Sequence, residues 1–422
     1  MNQTVQSPAA LSSTTPSVLG PAFVAMVTEQ APLSARAVLH MLGRLRHGML
    51  DVVLPNDATL RFGTEQAGGP RAQLHVRDWH VFGLVLKSGD IGFAEAYIAG
   101  HWSSPDLPAL LRLMLANRAE LEQAIYGRWW GGLWHRVRHL LNRNSVAGSR
   151  RNIHAHYDLG NTFYSAWLDN GMNYSSALFD GDTSRSLADA QEAKLARTLA
   201  AARVGAGDRV LEIGCGWGGL AQMAAERGAS VTGLTLSTEQ LAWAQRRVSA
   251  AGVARQCDLR LQDYRLVDDE PFDAIVSIEM FEAVGRAWWP TYFETVARCL
   301  KPGGRACVQS ITIADELFER YAKSSDFIQQ YIFPGGMLPS PSQFRAGAEK
   351  AGLVVEDSFA FGPDYAETLR RWRVAFHAHE AEVRHLGFDP QFMRTWDFYL
   401  AYCEAAFDAG STDVYQFTLY RP

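Results

Sequence analysis

Val210-Leu211-Glu212-Ile213-Gly214-Cys215-Gly216-Trp217-Gly218-Gly219 begins as an apolar strand and runs into a glycine-rich turn. Glycines there let a backbone approach a ligand and adopt the positive φ that a β-carbon disfavours. Working outward, short apolar runs alternate with helical periodicity. Strands are predicted over Arg209 to Ile213, Ser230 to Thr235, Leu259 to Gln262, Ala274 to Ile278 and Arg305 to Thr312. Helices are predicted over Leu220 to Arg227, Glu239 to Ala250 and Tyr292 to Leu300. Such βαβ alternation is the signature of a Rossmann-like α/β fold with a mostly parallel, doubly wound sheet.

The same turn discriminates between nucleotides. A dinucleotide fingerprint needs G-x-G-x-x-G with an acidic residue about 20 positions on, and Gly214-x-Gly216-x-Gly218 departs from that spacing. Glu212 lies inside the strand just before the first glycine, a poor place for a pyrophosphate and a good one for a zwitterionic amino acid. S-adenosylmethionine fits these residues and NAD does not. Thr235, Leu236 and Gln240 follow the next strand, where such folds hold a ribose. Gln262 and Asp263 would offer an amide and a carboxylate to an adenine edge. Their order and spacing favour a class I methyltransferase over a dehydrogenase.

The chain has 422 residues, 47% of them hydrophobic and 20% charged, which suits two or three ordinary globular domains. Its 40 basic and 45 acidic residues argue against a protein that coats nucleic acid through bulk charge. Five cysteines without a C-x-x-C spacing point to reduced thiols rather than a disulfide framework or zinc. Histidines spaced two apart, such as His154 with His156 and His377 with His379, do not share a helix face, so no metal site is expected. With no secretory signal and no run of 18 apolar residues, the expected location is cytoplasmic, any membrane being met peripherally at its inner face.

Composition shifts divide the chain into a flexible arm (1–36), a small α+β domain (37–117), a basic aromatic linker helix (118–151) and the methyltransferase domain (152–422). The linker carries seven Arg against two Glu, together with Trp129, Trp130 and Trp134. Such a helix could lie on an anionic bilayer, Trp at headgroup depth and Arg on phosphates. The alternative is a helix packed between domains with a solvated Arg face.

Seven segments give a more specific likeness. They are 156–161 (His-Tyr-Asp-Leu-Gly-Asn), Asn173-Tyr174-Ser175, the turn 211–218, Leu234-Thr235-Leu236-Ser237, Gln262-Asp263-Tyr264-Arg265, Met280-Phe281-Glu282, and 331–336 (Tyr-Ile-Phe-Pro-Gly-Gly). In these the chain resembles the cyclopropane-fatty-acyl-phospholipid synthases and mycolic acid methyltransferases. Gly92 to Tyr97 and Trp102 to Leu107 resemble the smaller N-terminal domain of the longer members, which by that similarity helps to hold lipid.

The resemblance implies transfer of a methyl group from S-adenosylmethionine to the double bond of an unsaturated phospholipid acyl chain. It implies that Tyr157, Tyr174 and Ser175 close over the methionine end. An alkene is a weak nucleophile, so the donor methyl must be aligned with it and water kept from the resulting cation. Tyr174, Phe281, Tyr331, Phe333 and Tyr365 are candidates for an aromatic lining that stabilises positive charge. The family's proton acceptor is a bicarbonate ion, and the positions implied to hold it are Ser176, Glu282, Gln309, Ile311 and Tyr365. Ser176 and Gln309 stand where the family has Cys and His, and neither supplies their ionisable chemistry. Glu282 is the leading catalytic candidate, an ion pair being its structural alternative.

Proton loss from the new methyl closes a cyclopropane, whereas loss from a neighbouring carbon leaves a methylated alkene. Glu282 to Gly285 (Glu-Ala-Val-Gly) and Gln309 to Thr312 (Gln-Ser-Ile-Thr) resemble relatives of the second kind, and that product is favoured. An N-methyltransferase of a small amine and an inactive lipid-binding relative are the competing readings. A homodimer would strengthen membrane attachment by multivalency; oligomeric state and any partner reductase stay open, and no nucleic-acid partner is expected.

Overall fold

The computed structural model describes residues 31–64, 69–125 and 159–422. Two sheets organise them. The smaller contains β1 (Met49–Val53), β2 (Thr59–Gly63), β3 (Arg71–Val76) and β4 (Trp102–Ser103) in the order β2-β1-β3-β4. β1 runs antiparallel to β2 and parallel to β3. Period-two patterning turns Ala72, Leu74 and Val76 of β3 into the core. The Leu107–Ala116 helix starts where Asp106 accepts the Ala109 N–H at 2.9 Å, with Pro108 in its first turn. The helical stretch His80–Ile98 is broken at Gly89 (φ +59°). Asp90 restarts it by accepting the Ile91 N–H at 3.0 Å.

The larger sheet holds β5 (Arg209–Ile213), β6 (Ser230–Thr235), β7 (Cys257–Leu261), β8 (Phe272–Ile278), β9 (Leu300–Ile313), β10 (Val354–Ala360) and β11 (Thr412–Tyr420). Their order is β10-β11-β9-β8-β5-β6-β7. β5 to β9 pair in parallel, while β11 runs antiparallel between β9 and β10. This is the doubly wound α/β architecture that the alternation predicts. Strand order reverses between β5 and β8, and at such a switch point the loops leaving the two strands diverge and open a crevice.

Two C-terminal helices connect the sheets. Pro390–Asp408 packs against Gly362–Ala378 on one side and against the His80–Ile98 and Leu107–Ala116 helices on another. A single hydrophobic cluster runs from Leu50 and Leu74 through Trp102 to Trp372 and Leu400. Asp397 pins the junction, accepting from Tyr97 Oη (2.5 Å) and Arg373 Nε (2.7 Å) and pairing with His377 Nε2 (2.7 Å). Burial alone would raise its carboxyl, but His377, Arg373 and Tyr97 together hold it below the ordinary range.

Some expectations are corrected. The first helix begins at Leu33 and Ala35 is fully buried, so the end of the stretch read as an arm is folded. The basic segment is helical over Arg118–Ile125. Residues 126–158, with Trp129, Trp130, Trp134, His154, His156 and Tyr157, lie outside the described residues. Among the described residues no helix is long and apolar enough to cross a membrane.

Candidate active site

A cavity of about 440 Å³ opens at the carboxyl ends of β5, β6, β8 and β9 and extends to Asp90, Leu115 and Arg118 of the N-terminal part. Its two ends are built differently.

At the first end, the turn after β5 folds back on β6, with Gly214 and Cys215 N–H both donating to the Leu234 carbonyl (3.0 and 2.8 Å). Gly216 has φ +51° and Gly218 φ +81°. A β-carbon on Gly218 would meet Ala244 at 2.8 Å, whereas one on Gly216 would meet nothing within 4 Å. Gly218 is therefore needed for helix packing, and Gly216 faces the open cavity. One oxygen of the Glu212 carboxyl group is buried and has no hydrogen-bond partner among the described residues. Burial pushes Glu212 up to about 8, against the pull of Lys194. An orphaned buried carboxylate oxygen beside an open glycine turn is what an amino acid bearing an ammonium group requires, so these residues fit S-adenosylmethionine.

Thr235 Oγ1 donates to Gln240 Oε1 at 3.0 Å, and the Gln240 N–H is capped by Ser237. Gln262 donates its amide to the Leu266 carbonyl, and Asp263 is held by both arms of Arg265 at 2.8 and 2.6 Å. Thr235, Leu236, Gln240, Gln262, Asp263, Tyr174 and Ser175 all line the cavity. Tyr174 shares a 2.8 Å hydrogen bond with Tyr399.

The second end centres on Glu279, which follows β8 with φ +47°. Its Oε1 accepts from the Ser176 N–H and from Gln309 Nε2, both at 2.8 Å, and its Oε2 accepts from Tyr365 Oη at 2.6 Å. The Gln309 amide is oriented from behind. Arg197 donates to Gln416 Oε1, so the Gln416 amino group donates to Gln309 Oε1 at 3.0 Å and the Gln309 amino group points to Glu279. Burial pushes the Glu279 carboxyl up, opposed by Tyr365, Ser176, Lys194 and Gln309. Lys194 is itself buried, brought down to about 8, and donates to Ser175 Oγ at 2.6 Å. Glu282 accepts the Ile311 N–H on one oxygen, while the other is buried and has no hydrogen-bond partner among the described residues. Burial, then the charge of Glu279, pushes Glu282 up to about 8, so it is a neutral acid at pH 7.

Five predicted positions therefore converge, but around a sixth residue. Glu282, Ile311 and Tyr365 line the cavity, whereas Ser176 and Gln309 are fully buried behind Glu279 and the Ser176 hydroxyl donates to the Ala177 carbonyl. Glu282 forms no ion pair among the described residues. Phe281 is plain core against Trp289, Tyr292 and Phe344, and Tyr331 is part-exposed with its hydroxyl on Glu95. Bicarbonate does not fit this arrangement. Ser176, Gln309 and Tyr365 already donate to the Glu279 carboxylate, and Glu282 is bonded to Ile311.

Sequence reasoning missed Glu279 and Lys194. The signals were present: an acid one residue past the end of the predicted strand Ala274 to Ile278, and a Lys three positions after Gln191 on the buried face of the Leu187–Ala201 helix. The far wall is a stripe of the Pro390–Asp408 helix, where Tyr399, Tyr402, Cys403, Ala406 and Phe407 follow helical spacing. Phe333 adds a further ring.

Residues 145–417 match the family model for mycolic acid cyclopropane synthetase. The chain is 41% identical over 344 residues to the tuberculostearic acid methyltransferase UfaA1 of Mycobacterium tuberculosis, covering 80% of each. It is 36% identical over 375 residues to the cyclopropane-fatty-acyl-phospholipid synthase of Escherichia coli, covering 87% of this chain and 93% of that one. Among solved structures it is similar to the mycolic acid cyclopropane synthase CmaA1 complexed with SAH and CTAB. That likeness has a TM-score of 0.60 and 33% identity, covering 64% of this chain and 97% of the other.

Proposed function

The chain belongs to the mycolic acid cyclopropane synthetase family and is an S-adenosylmethionine-dependent methyltransferase of the lipid-modifying kind; from that premise we propose that it methylates the double bond of an unsaturated acyl chain in a membrane phospholipid and leaves a methylated alkene. The observation that carries this reading is the single cavity joining the glycine turn to an aromatic, apolar wall around two buried carboxyl groups. The acyl-lipid substrate class is carried over from both relatives. The methyl outcome rests on the first of them and on the Glu282 to Gly285 and Gln309 to Thr312 patterns.

S-adenosylmethionine supplies a methyl group on a positively charged sulfur. We assign Glu212 to its ammonium, Gly214 and Gly216 to close backbone approach, Thr235, Leu236 and Gln240 to the ribose, and Gln262 with Asp263 to the adenine. Tyr174 and Ser175 border the methionine end, and Tyr157 is assigned there from sequence alone. The rings of Tyr174, Phe333, Tyr365 and Tyr399 exclude water from the reacting carbons and present π-faces to a developing cation. The N-terminal sheet with its helices serves to hold lipid, through Asp90, Leu115 and Arg118 at the cavity's outer end.

The test is incubation with methyl-labelled donor and vesicles of dioleoyl phosphatidylglycerol, followed by mass spectrometry and NMR of the acyl chains. Olefinic protons on a chain heavier by one CH₂ support the proposal. High-field ring protons would replace the product with a cyclopropane, and absence of lipid-linked label would defeat the substrate class.

A further inference from the structure

We propose that the Glu279 side chain is the base of this reaction, built into the protein in place of a borrowed oxyanion and taking the proton that the methylated chain sheds. The inference rests on the acyl-methylation reading above. Methyl transfer to an alkene leaves a carbocation that must lose a proton, so the cavity needs an anionic acceptor beside the reacting carbons.

Six carboxyl groups line the cavity, and five are otherwise engaged. Glu212 stands under the glycine turn, Asp263 is clamped by Arg265, and Glu282 is a neutral acid. Asp90 and Asp326 lie beside each other towards the N-terminal part, with Arg118 and Arg320 close to Asp90. Glu279 remains, and its surroundings are those of an anion. Two donors meet Oε1 and one meets Oε2. A carboxylate has about four lone-pair sites, so one on Oε2 is left for a proton.

The backbone agrees. Glu279 is a non-glycine residue at φ +47°, and its own N–H is tied to the Gln309 carbonyl at 2.8 Å. Left-handed conformations at such residues persist where the surroundings over-determine them. Here the conformation delivers a side chain to the donors that would otherwise hold an external anion.

The step balances without a further reagent. The alkene π electrons form a bond to the methyl carbon, the carbon–sulfur bond breaks with its electrons going to sulfur, and S-adenosylhomocysteine results. Positive charge is left on the second alkene carbon. A C–H bond on the adjacent carbon then breaks, its electrons form the new C=C bond, and its proton goes to Glu279 Oε2. The resulting acid gives that proton to water after product release.

Two variants test this: Glu279→Gln, which keeps the shape, and Glu279→Gly, which relieves the positive φ and uncovers the donors. Donor affinity by calorimetry serves as the folding control. In carbon-dioxide-free buffer the wild-type rate should be unchanged by added bicarbonate, and Glu279→Gln should slow lipid methylation about a hundredfold or more. Glu279→Gly should be equally slow and recover at least tenfold with millimolar bicarbonate. A Glu279→Gln rate within twofold of wild type, or a wild-type rate that collapses without carbon dioxide and returns with bicarbonate, overturns the proposal.

A second readout needs no lipid turnover. With ¹³C-bicarbonate and S-adenosylhomocysteine-loaded protein, saturable line broadening is expected for Glu279→Gly and not for wild type. Saturable broadening in wild type overturns the resident base even if a variant fails to fold. Failure of wild type to label any unsaturated lipid would instead overturn the acyl-methylation reading, and the bicarbonate titration would still decide whether Glu279 fills the anion site.

Discussion

At the glycine-turn end the cavity is lined by residues close in sequence, within 212–220, 234–240 and 262–265. At the Glu279 end the contacts come from one backbone N–H and several side chains spread over residues 176 to 416. The first end is pre-formed by the strand–turn–helix unit itself, and its orphaned Glu212 oxygen waits for a cation. The second is a closed network whose central charge is already met. One end is built to receive a ligand and the other to hold a group in place, and the two should respond differently to substitution.

The largest effect is expected at the open turn. Gly216→Val fills the space facing the cavity and forces a β-branched residue to φ +51°, so donor binding by calorimetry should weaken by more than a hundredfold, on the order of 3 kcal/mol. Unchanged affinity would show that the donor lies elsewhere. Lys194→Met tests whether the two ends share a charge. Without that ammonium the Glu279 carboxyl rises further, so the acidic limb of the pH–rate profile should move to higher pH, a loss of rate at fixed pH on that limb that higher pH restores. A limb that stays in place would make the ends independent.

A smaller effect separates the ends by proton count. Glu212 titrates near 8 in the free protein and is mostly neutral at pH 7; a bound ammonium favours its carboxylate. Donor binding at pH 7 should therefore release up to one proton. Affinity should rise with pH by less than tenfold per unit and level off above about 8. Calorimetry in buffers of different ionisation enthalpy measures this release, and proton uptake would reverse the assignment. The smallest effect on the cavity is expected from Asp397→Asn, which should cost about 1–3 kcal/mol of stability in thermal unfolding while leaving donor affinity within twofold. Because the Asp397 carboxyl is held below its ordinary range, that contribution is full at neutral pH and is lost as acid protonates it.

The same contrast explains what could be read from the chain alone. β5, β6 and β8 carry continuous apolar runs because both faces of a parallel sheet are covered, and the turn after β5 declares itself by its glycines. β10 and β11 were not anticipated. β10 is an edge strand bearing exposed Glu356 and Asp357, and its period is further blurred by a bulge between Val355 and Asp357. Ser176, Gln309, Ile311 and Tyr365 were legible through family likeness, but likeness assigned them to a ligand. Nothing local reveals that Glu279 turns back among them, since that depends on one backbone angle and on a strand pairing 30 residues away. Phe281 and Tyr331 show the reverse error, in which aromatic character was read as site lining where packing and a surface hydrogen bond account for it.

The Pro390–Asp408 helix has one more consequence. Tyr399 and Tyr402 border the cavity, while their neighbours Asp397 and Phe398 are gripped by Tyr97 and Trp102. A change of bulk at residue 97 or 102 would tilt that helix and resize the cavity without touching it. If the cavity holds an acyl chain as proposed, selection for a different chain length should find its answers in the first quarter of the protein as readily as around the glycine turn.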